Sequence, residues 1–301
     1  MTDKSLYFKF SEYLKNRFGG KVWKVPVEAG FTCPNRDGHK GEGGCIYCSV
    51  DSFDGAEQGK IQDQVTARIE KLKKRNINKY IVYFQSYSNT YGDLATIKGR
   101  IDASLVDDGI VAIHIGTRPD VIDEVKLAYL QTLTERYEVV IEYGLQSSND
   151  ETLIDINRGH TVQDFVDAVE LTHRYDIKTC AHLILGLPGD SREDMINSIK
   201  LINDLKIHSV KFHHLHVVKG TKLAEMYANG EVEMLTEDEY IDILAESIGR
   251  LNDDVVISRI VGDAAGDTLI APDWPNNKGI FEQKLRDRMM KLGITQGSLK
   301  D

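Results

Sequence analysis

The 301-residue chain has only four cysteines, and three of them, Cys33, Cys45 and Cys48, fall in one short stretch, CPNRDGHKGEGGCIYC. So few thiols, so unevenly placed, make a poor disulfide framework and point to metal binding in a reducing compartment. No apolar run reaches the about 18 residues that a membrane helix needs, so no span is predicted. The N-terminus, MTDKSLYFKFSEYLKNRFGG, lacks an apolar core and a small-residue cleavage site, which argues against export and for the cytoplasm. An excess of positive charge is missing too. The formal net charge is −10, which does not announce a nucleic-acid binder. There is no low-complexity linker, and no repeat beyond an alternation of strand and helix.

What is present is an ordinary globular composition, 41% hydrophobic and 28% charged, able to bury a sizeable core. The length suits one large domain or two small ones, and α/β barrels of this size are common as single units. Charge is uneven. Lys60, Arg68, Lys71, Lys73, Lys74, Arg75 and Lys79 face only Asp63 and Glu70 over 60–79. Such a stripe could follow a phosphate backbone, and a solvated helix face is the plainer reading.

Apolar runs alternate with amphipathic stretches. The pattern predicts strands at 21–29, 79–85, 109–116, 138–146, 177–189 and 208–218. Helices are expected over 61–75, after an Asp93 N-cap, from Pro119–Asp120, over 150–156 and 162–175, after an Asp190/Ser191 cap, and near 221–228 and 236–252. Six near-continuous apolar strands separated by helices imply a parallel sheet, either open and doubly wound or closed as a partial (β/α)6 barrel. In both, functional residues gather at the C-terminal strand ends, where Cys33, Gln85, Arg118 and Gln146 fall. Residues 254–301, with a basic helix over 279–292, read as an extension packed on the barrel of residues 1–253.

Cys33-x11-Cys45-x2-Cys48 could hold zinc or an iron–sulfur cluster. Structural zinc wants four protein ligands, and a single CxxC would have to recruit His39 or a distant group. Three cysteines on a [4Fe–4S] cluster leave one iron open to a small-molecule ligand. Cys180 lies mid-strand in IKTCAHLIL, where a buried apolar thiol is the ordinary expectation. On strand six, a period of two puts His214 and His216 on one face and His213 on the other, which excludes an ordinary three-histidine metal site.

The cysteine loop with GTRPD, GLQSSND and LILGLPG downstream resembles the radical S-adenosylmethionine (SAM) superfamily. The usual spacing there is CxxxCxxC. The eleven-residue first gap instead resembles the branch related to the Elongator catalytic subunit, and within it the bacterial YtqA/YhcC (MnmL) group. The resemblance implies a partial (β/α)6 TIM-like barrel carrying a [4Fe–4S] cluster on Cys33, Cys45 and Cys48, with SAM on the open iron. Reductive cleavage of SAM then yields a 5′-deoxyadenosyl radical, with electrons from a donor such as flavodoxin or ferredoxin. It implies SAM contacts from Tyr47, Gln85, Ser86, Glu142, Gln146, Arg158 and His182, although the superfamily's GGE motif is absent after strand two. A buried strand carboxylate without a partner would be costly, which favours a ligand-facing Glu142. Arg118, His214 and His216 are candidates for the substrate side, with a salt bridge to a helix carboxylate as the alternative for Arg118. The relatives imply tRNA as partner and conversion of a carboxymethylaminomethyl to an aminomethyl group at C5 of the wobble uridine. A small metabolite or peptide substrate, or a zinc-stabilised binding protein without activity, are the competing readings. The chain lacks extra cysteines for a second cluster, which argues against sulfur insertion.

Overall fold

Each apolar run becomes a parallel strand, because strands buried on both faces need no polar alternation. The computed structural model describes residues 5–49, 59–262, 268–274 and 277–300. Helix α1 (Phe10–Phe18) precedes β1 (Trp23–Val27), and the units α2 (Ile61–Lys73), β2 (Tyr80–Phe84), α3 (Leu94–Asp102) and β3 (Ile110–Thr117) follow. After a 3-10 turn (Pro119–Val121) come α4 (Glu124–Leu133), β4 (Glu138–Gln146), α5 (Asp150–Asp155), α6 (Val162–His173), β5 (Lys178–Leu185), α7 (Arg192–Asp204) and β6 (Ser209–His214). The chain ends with β7 (Val217–Val218), α8 (Lys222–Ala228), α9 (Glu237–Arg250), β8 (Val256–Arg259), β9 (Leu269–Ala271) and α10 (Lys278–Leu292).

The predicted caps form. Asp93 accepts from the Thr96 amide, and Ser191 and Asp194 close a reciprocal capping box at the start of α7. The helix expected from Pro119 starts later, at Glu124 under an Asp123 cap, because Pro119–Val121 form only one tight turn. No described helix is long and apolar enough to cross a membrane.

Strand order in the main sheet is β1-β2-β3-β4-β5-β6-β8, parallel throughout. The sheet curls into a half-barrel. The sequence predicts six strands; the seventh, β8, comes from DVVISR at the start of the supposed extension. It pairs with β6, Val256 beside Ser209, so residues 256–259 belong to the barrel wall. Helix α1 lies at the N-terminal strand ends. There the Tyr13 hydroxyl donates to Glu138 at 2.5 Å, and Lys178 Nζ reaches the same carboxylate at 2.6 Å. The two ends of the chain clasp each other beside β8. Phe8 accepts from the Ile257 amide at 2.9 Å and donates to Gln296 Oε1 at 2.7 Å, while the Gln296 amide donates to Leu6 at 2.9 Å.

Helix α2 runs antiparallel to the strands, so its basic C-terminal turn stands at the end of the barrel opposite the cysteine loop. Lys73 pairs with Asp107 at 2.7 Å and Arg75 lies 5.0 Å over the Trp23 ring. The 60–79 stripe therefore runs between the two barrel ends, from Lys60 beside Gly30 to Arg75 over Trp23.

Candidate cofactor site

The cysteine loop leaves β1 and folds over the C-terminal strand ends through its own backbone and one asparagine pair. The Cys33 carbonyl accepts from the amides of Arg36 and Asp37, and the Cys48 amide donates to Cys45 at 2.9 Å. Asn35 Nδ2 donates to the Asn157 carbonyl at 2.6 Å, and Asn157 Nδ2 donates to the Gly44 carbonyl at 2.8 Å. Asn157 sits at a φ of 52°, a left-handed conformation that asparagine tolerates. These two side chains escaped the sequence reading. The NRD of the loop and the NRG after α5 are the turn signals that could have found them.

All three cysteines are free thiols and line one cavity of about 170 Å³, together with Tyr47, Gln85, Glu142, Gln146, Arg158 and His182. Among the described residues, the three sulfurs are not a group lying within 4.8 Å of one another. A single zinc ion, with Zn–S bonds of about 2.3 Å, needs thiolates closer than that. A cluster that seats each cysteine on a different iron suits the wider triangle. Two further observations fit a bound group. The Tyr47 hydroxyl is buried against Cys45 with no well-formed hydrogen bond among the described residues, and Arg158 Nη1 points at Cys45 Sγ from 3.6 Å, supplying positive charge to a thiolate. Burial, then Cys45, raises the Cys48 thiol pKa, so metal binding has to displace its proton.

Arg158 is held rather than free. Its Nη2 donates to the Gly144 carbonyl at 2.7 Å, and a Cβ at Gly144 would lie 2.4 Å from that nitrogen. Arg118 sits beneath it: Nη1 donates to the Arg158 carbonyl at 2.6 Å and Nη2 to the Gly159 carbonyl at 2.9 Å. Asp120 closes a fork on Arg118 with two contacts of 2.9 Å. Burial opposes the Asp120 charge, but Arg118 and Lys40 hold its pKa at about 2. Arg118 thus spends its donors on the protein, in the ion pair expected as its alternative role, while it also lines the cavity beneath Arg158.

Glu142 also departs from expectation. It is not a partnerless carboxylate: His114 Nδ1 lies at 2.7 Å, His182 Nε2 at 2.9 Å, Lys211 Nζ in direct contact and Lys24 Nζ at 3.6 Å. Burial pushes its pKa up, yet Lys211 and Lys24 outweigh that and hold it well below the usual carboxylate range. Burial keeps both His114 and His182 neutral, each with a pKa lowered to about 4. Lys24, Lys211 and His114 each interrupt an apolar run (VWKVPV, SVKFH, VAIHIG), and that polar residue in a buried strand was the signal missed.

Ser86 is buried away from the cavity with its carbonyl bonded to Asn89; Tyr87 and Ser88 line the cavity instead. Gln85 and Gln146 do reach it, Gln146 at a φ of 76° where the β4–β5 register slips. A second cavity of about 220 Å³ shares Tyr47, Cys48, Gln85, Gln146 and His182 with the first, and adds His213, His214 and His216. His214 and His216 share one side as expected, but the expected separation of His213 fails, because its ring joins theirs. Ligand atoms of all three rings lie within 4.8 Å of one another, with His216 Nε2 and His214 Nε2 at 2.7 Å.

The sequence pattern of the radical SAM superfamily matches residues 32–202, and that of the radical SAM C-terminal domain matches residues 207–291. The protein YtqA of Bacillus subtilis is 33% identical over 94% of this chain and 90% of its own length. The tRNA uridine(34) acetyltransferase of Methanocaldococcus jannaschii is 28% identical over 88% of this chain. The structure of Methanocaldococcus infernus Elp3 superposes with a TM-score of 0.71 over 91% of this chain at 24% identity. This chain spans 56% of the acetyltransferase and 64% of that structure.

Proposed function

The chain belongs to the radical SAM superfamily, and from that premise we propose that it uses a [4Fe–4S] cluster and SAM to modify the C5 side chain of the tRNA wobble uridine, converting carboxymethylaminomethyl to aminomethyl. The observation that carries the cofactor reading is the convergence of three free thiols, too widely set for one ion, on a cavity that also holds Glu142, Gln146, Arg158 and His182. Cys33, Cys45 and Cys48 would hold the cluster, and Tyr47, Gln85, Gln146, Arg158 and His182 would contact SAM. When bound, the pair supplies a 5′-deoxyadenosyl radical, the chemistry the protein's own side chains lack. The protein's part is to orient the ligand by fixed donors and to exclude water. Arg158, locked by His160, Gly144 and Arg118, would set a fixed positive charge beside Cys45 at the edge of the same cavity. His182, neutral and hydrogen-bonded to Glu142, presents a fixed ring edge to the same cavity. The relative that acts on tRNA uridine 34 supports the substrate class.

Anaerobically reconstituted protein should hold about four irons by the family's chemistry and release 5′-deoxyadenosine from SAM under reduction. Mass spectrometry of tRNA nucleosides from cells with and without the gene tests the substrate. An unchanged wobble-uridine profile would sink the tRNA assignment and leave the cofactor chemistry standing.

A further inference from the structure

Lys24 has contacts that do not satisfy it. Its ammonium crosses the lumen to 3.6 Å from Glu142 Oε1 and lies 4.9 Å over the Phe10 ring and 4.7 Å over the Tyr83 ring. Among the described residues it makes no hydrogen bond, although its side chain is only 26% exposed. Arg259, on β8, is in the same position. Its Nε donates to the Phe212 carbonyl at 3.4 Å, and its two terminal nitrogens have no acceptor among the described residues. Lys211, paired in register with Arg259, is already taken by Glu142 and by the Tyr83 hydroxyl at 2.9 Å.

Two lysines therefore share one carboxylate, with His114 and His182 neutral beside them, and Arg259 adds a third cation to the same cavity wall. The surplus faces a cavity of about 820 Å³ that runs from α1 into the lumen, and no Asp or Glu among the described residues lines it. Half-buried cations without acceptors cost several kcal/mol unless an anion meets them. The cavity joins the one beside Cys48 through Tyr83, Gln85 and Arg259. An anion held here therefore stands next to the cofactor site.

We propose that Lys24 and Arg259, backed by Lys211, hold the carboxylate of the substrate's side chain. The proposal rests on the wobble-uridine reading above, in which the carboxymethylaminomethyl substrate carries a carboxylate and the aminomethyl product does not. A guanidinium fork beside an ammonium matches a carboxylate in shape and charge. A backbone phosphate is the other oxyanion of RNA, but it would reach the outer lysines, Lys15 and Lys21, before this inner pair. Removal of the carboxymethyl group takes the carboxylate away on the departing two-carbon fragment, so the aminomethyl RNA offers these cations no anion and the pocket distinguishes substrate RNA from product RNA.

The test titrates anticodon stem-loop RNAs bearing a carboxymethylaminomethyl, an aminomethyl or a plain wobble uridine into the full chain, wild type, Lys24→Met and Arg259→Gln. Wild type should bind the carboxylated RNA about tenfold more tightly than the aminomethyl RNA, as one matched ion pair supplies. Each substitution should erase that preference and leave aminomethyl RNA binding within about twofold. Equal binding of all three RNAs by wild type, with both variants weakened toward all of them, assigns the cations to backbone phosphate and overturns the proposal. Where no RNA binds, the wobble-uridine reading fails by itself, and thermal midpoints decide the pocket. N-methylglycine, and neither methylamine nor inorganic phosphate at equal ionic strength, should then raise the wild-type midpoint and not that of Lys24→Met. No rise with N-methylglycine, or a rise with phosphate alone, overturns the pocket. Lys24→Met removes a charge that meets Glu142 only at 3.6 Å, leaves Lys211 on that carboxylate and keeps the volume, and circular dichroism checks that the variant folds.

Discussion

Glu138 and Glu142 lie four residues apart on one face of β4, and each is a buried carboxylate ringed by lysine, tyrosine and cations. At Glu138, the N-terminal end, every partner is matched. Tyr13 and Lys178 donate to the carboxylate, Arg17 Nε lies at 3.2 Å, and Lys178 also meets the Tyr13 hydroxyl at 2.5 Å. The cations there are open to water, Arg17 57% and Lys178 35% exposed, so solvent absorbs their excess charge. At Glu142 the cations are inside, Lys211 only 5% exposed, and Lys24 makes no hydrogen bond among the described residues. The same residue types close the barrel at one end and leave an unfilled valence at the other. A closed network serves the fold, while an open one with surplus charge marks a place for a ligand.

The largest effect should come from the cysteine end. Cys45→Ala should abolish iron binding and SAM cleavage, whereas Cys180→Ala, whose thiol is buried beside Glu142 with its pKa pushed up to about 11, should retain both. Iron and sulfide assays after reconstitution read this directly, and loss of the cluster with Cys180 would break the three-cysteine assignment. Next in size, Glu142→Gln should destabilise by about 3–5 kcal/mol, because it strands buried cations. Glu138→Gln should cost only about 1–2 kcal/mol, its cations being partly hydrated. Urea unfolding of the two variants measures the gap, and equal losses would erase the distinction between the two ends.

Acid should act in the same direction. His114 and His182 have folded pKa values of about 4, below the unfolded value near 6.5. The unfolded chain binds more protons between these values. Stability is therefore full above about pH 6.5 and falls as pH drops toward 4. Glu142, depressed further by Lys211, gives up its share only as pH falls through its own lowered pKa. Replacing His114 with Gln should flatten the slope of unfolding free energy over that range. The smallest effect belongs to Arg118→Lys, which keeps charge and loses the fork on Asp120. It should weaken SAM binding less than about tenfold with the fold intact, as equilibrium dialysis can show.

Much of this was legible beforehand because strand runs and caps are local signals. β4 runs from Glu138 to Gln146, as the apolar run indicates, and Asp93 and Ser191 cap as expected. β8 was hidden because four residues after a long helix carry too little periodicity to announce a wall strand. His213 was misplaced because it is the penultimate residue of β6, where its ring turns back onto the His214 carbonyl and toward its neighbours. The Lys24–Glu142–Lys211 group could not be read at all. Its members come from β1, β4 and β6, and only curling of the sheet brings three isolated polar positions together.

The clasp between Phe8, Ile257 and Gln296 has a consequence for the order of events as the chain is made. The ribosome delivers the cysteine loop early, while the strand that completes the wall and the glutamine that pins the N-terminus arrive last. Until then α1 has no latch, and the lumen lies open along one side.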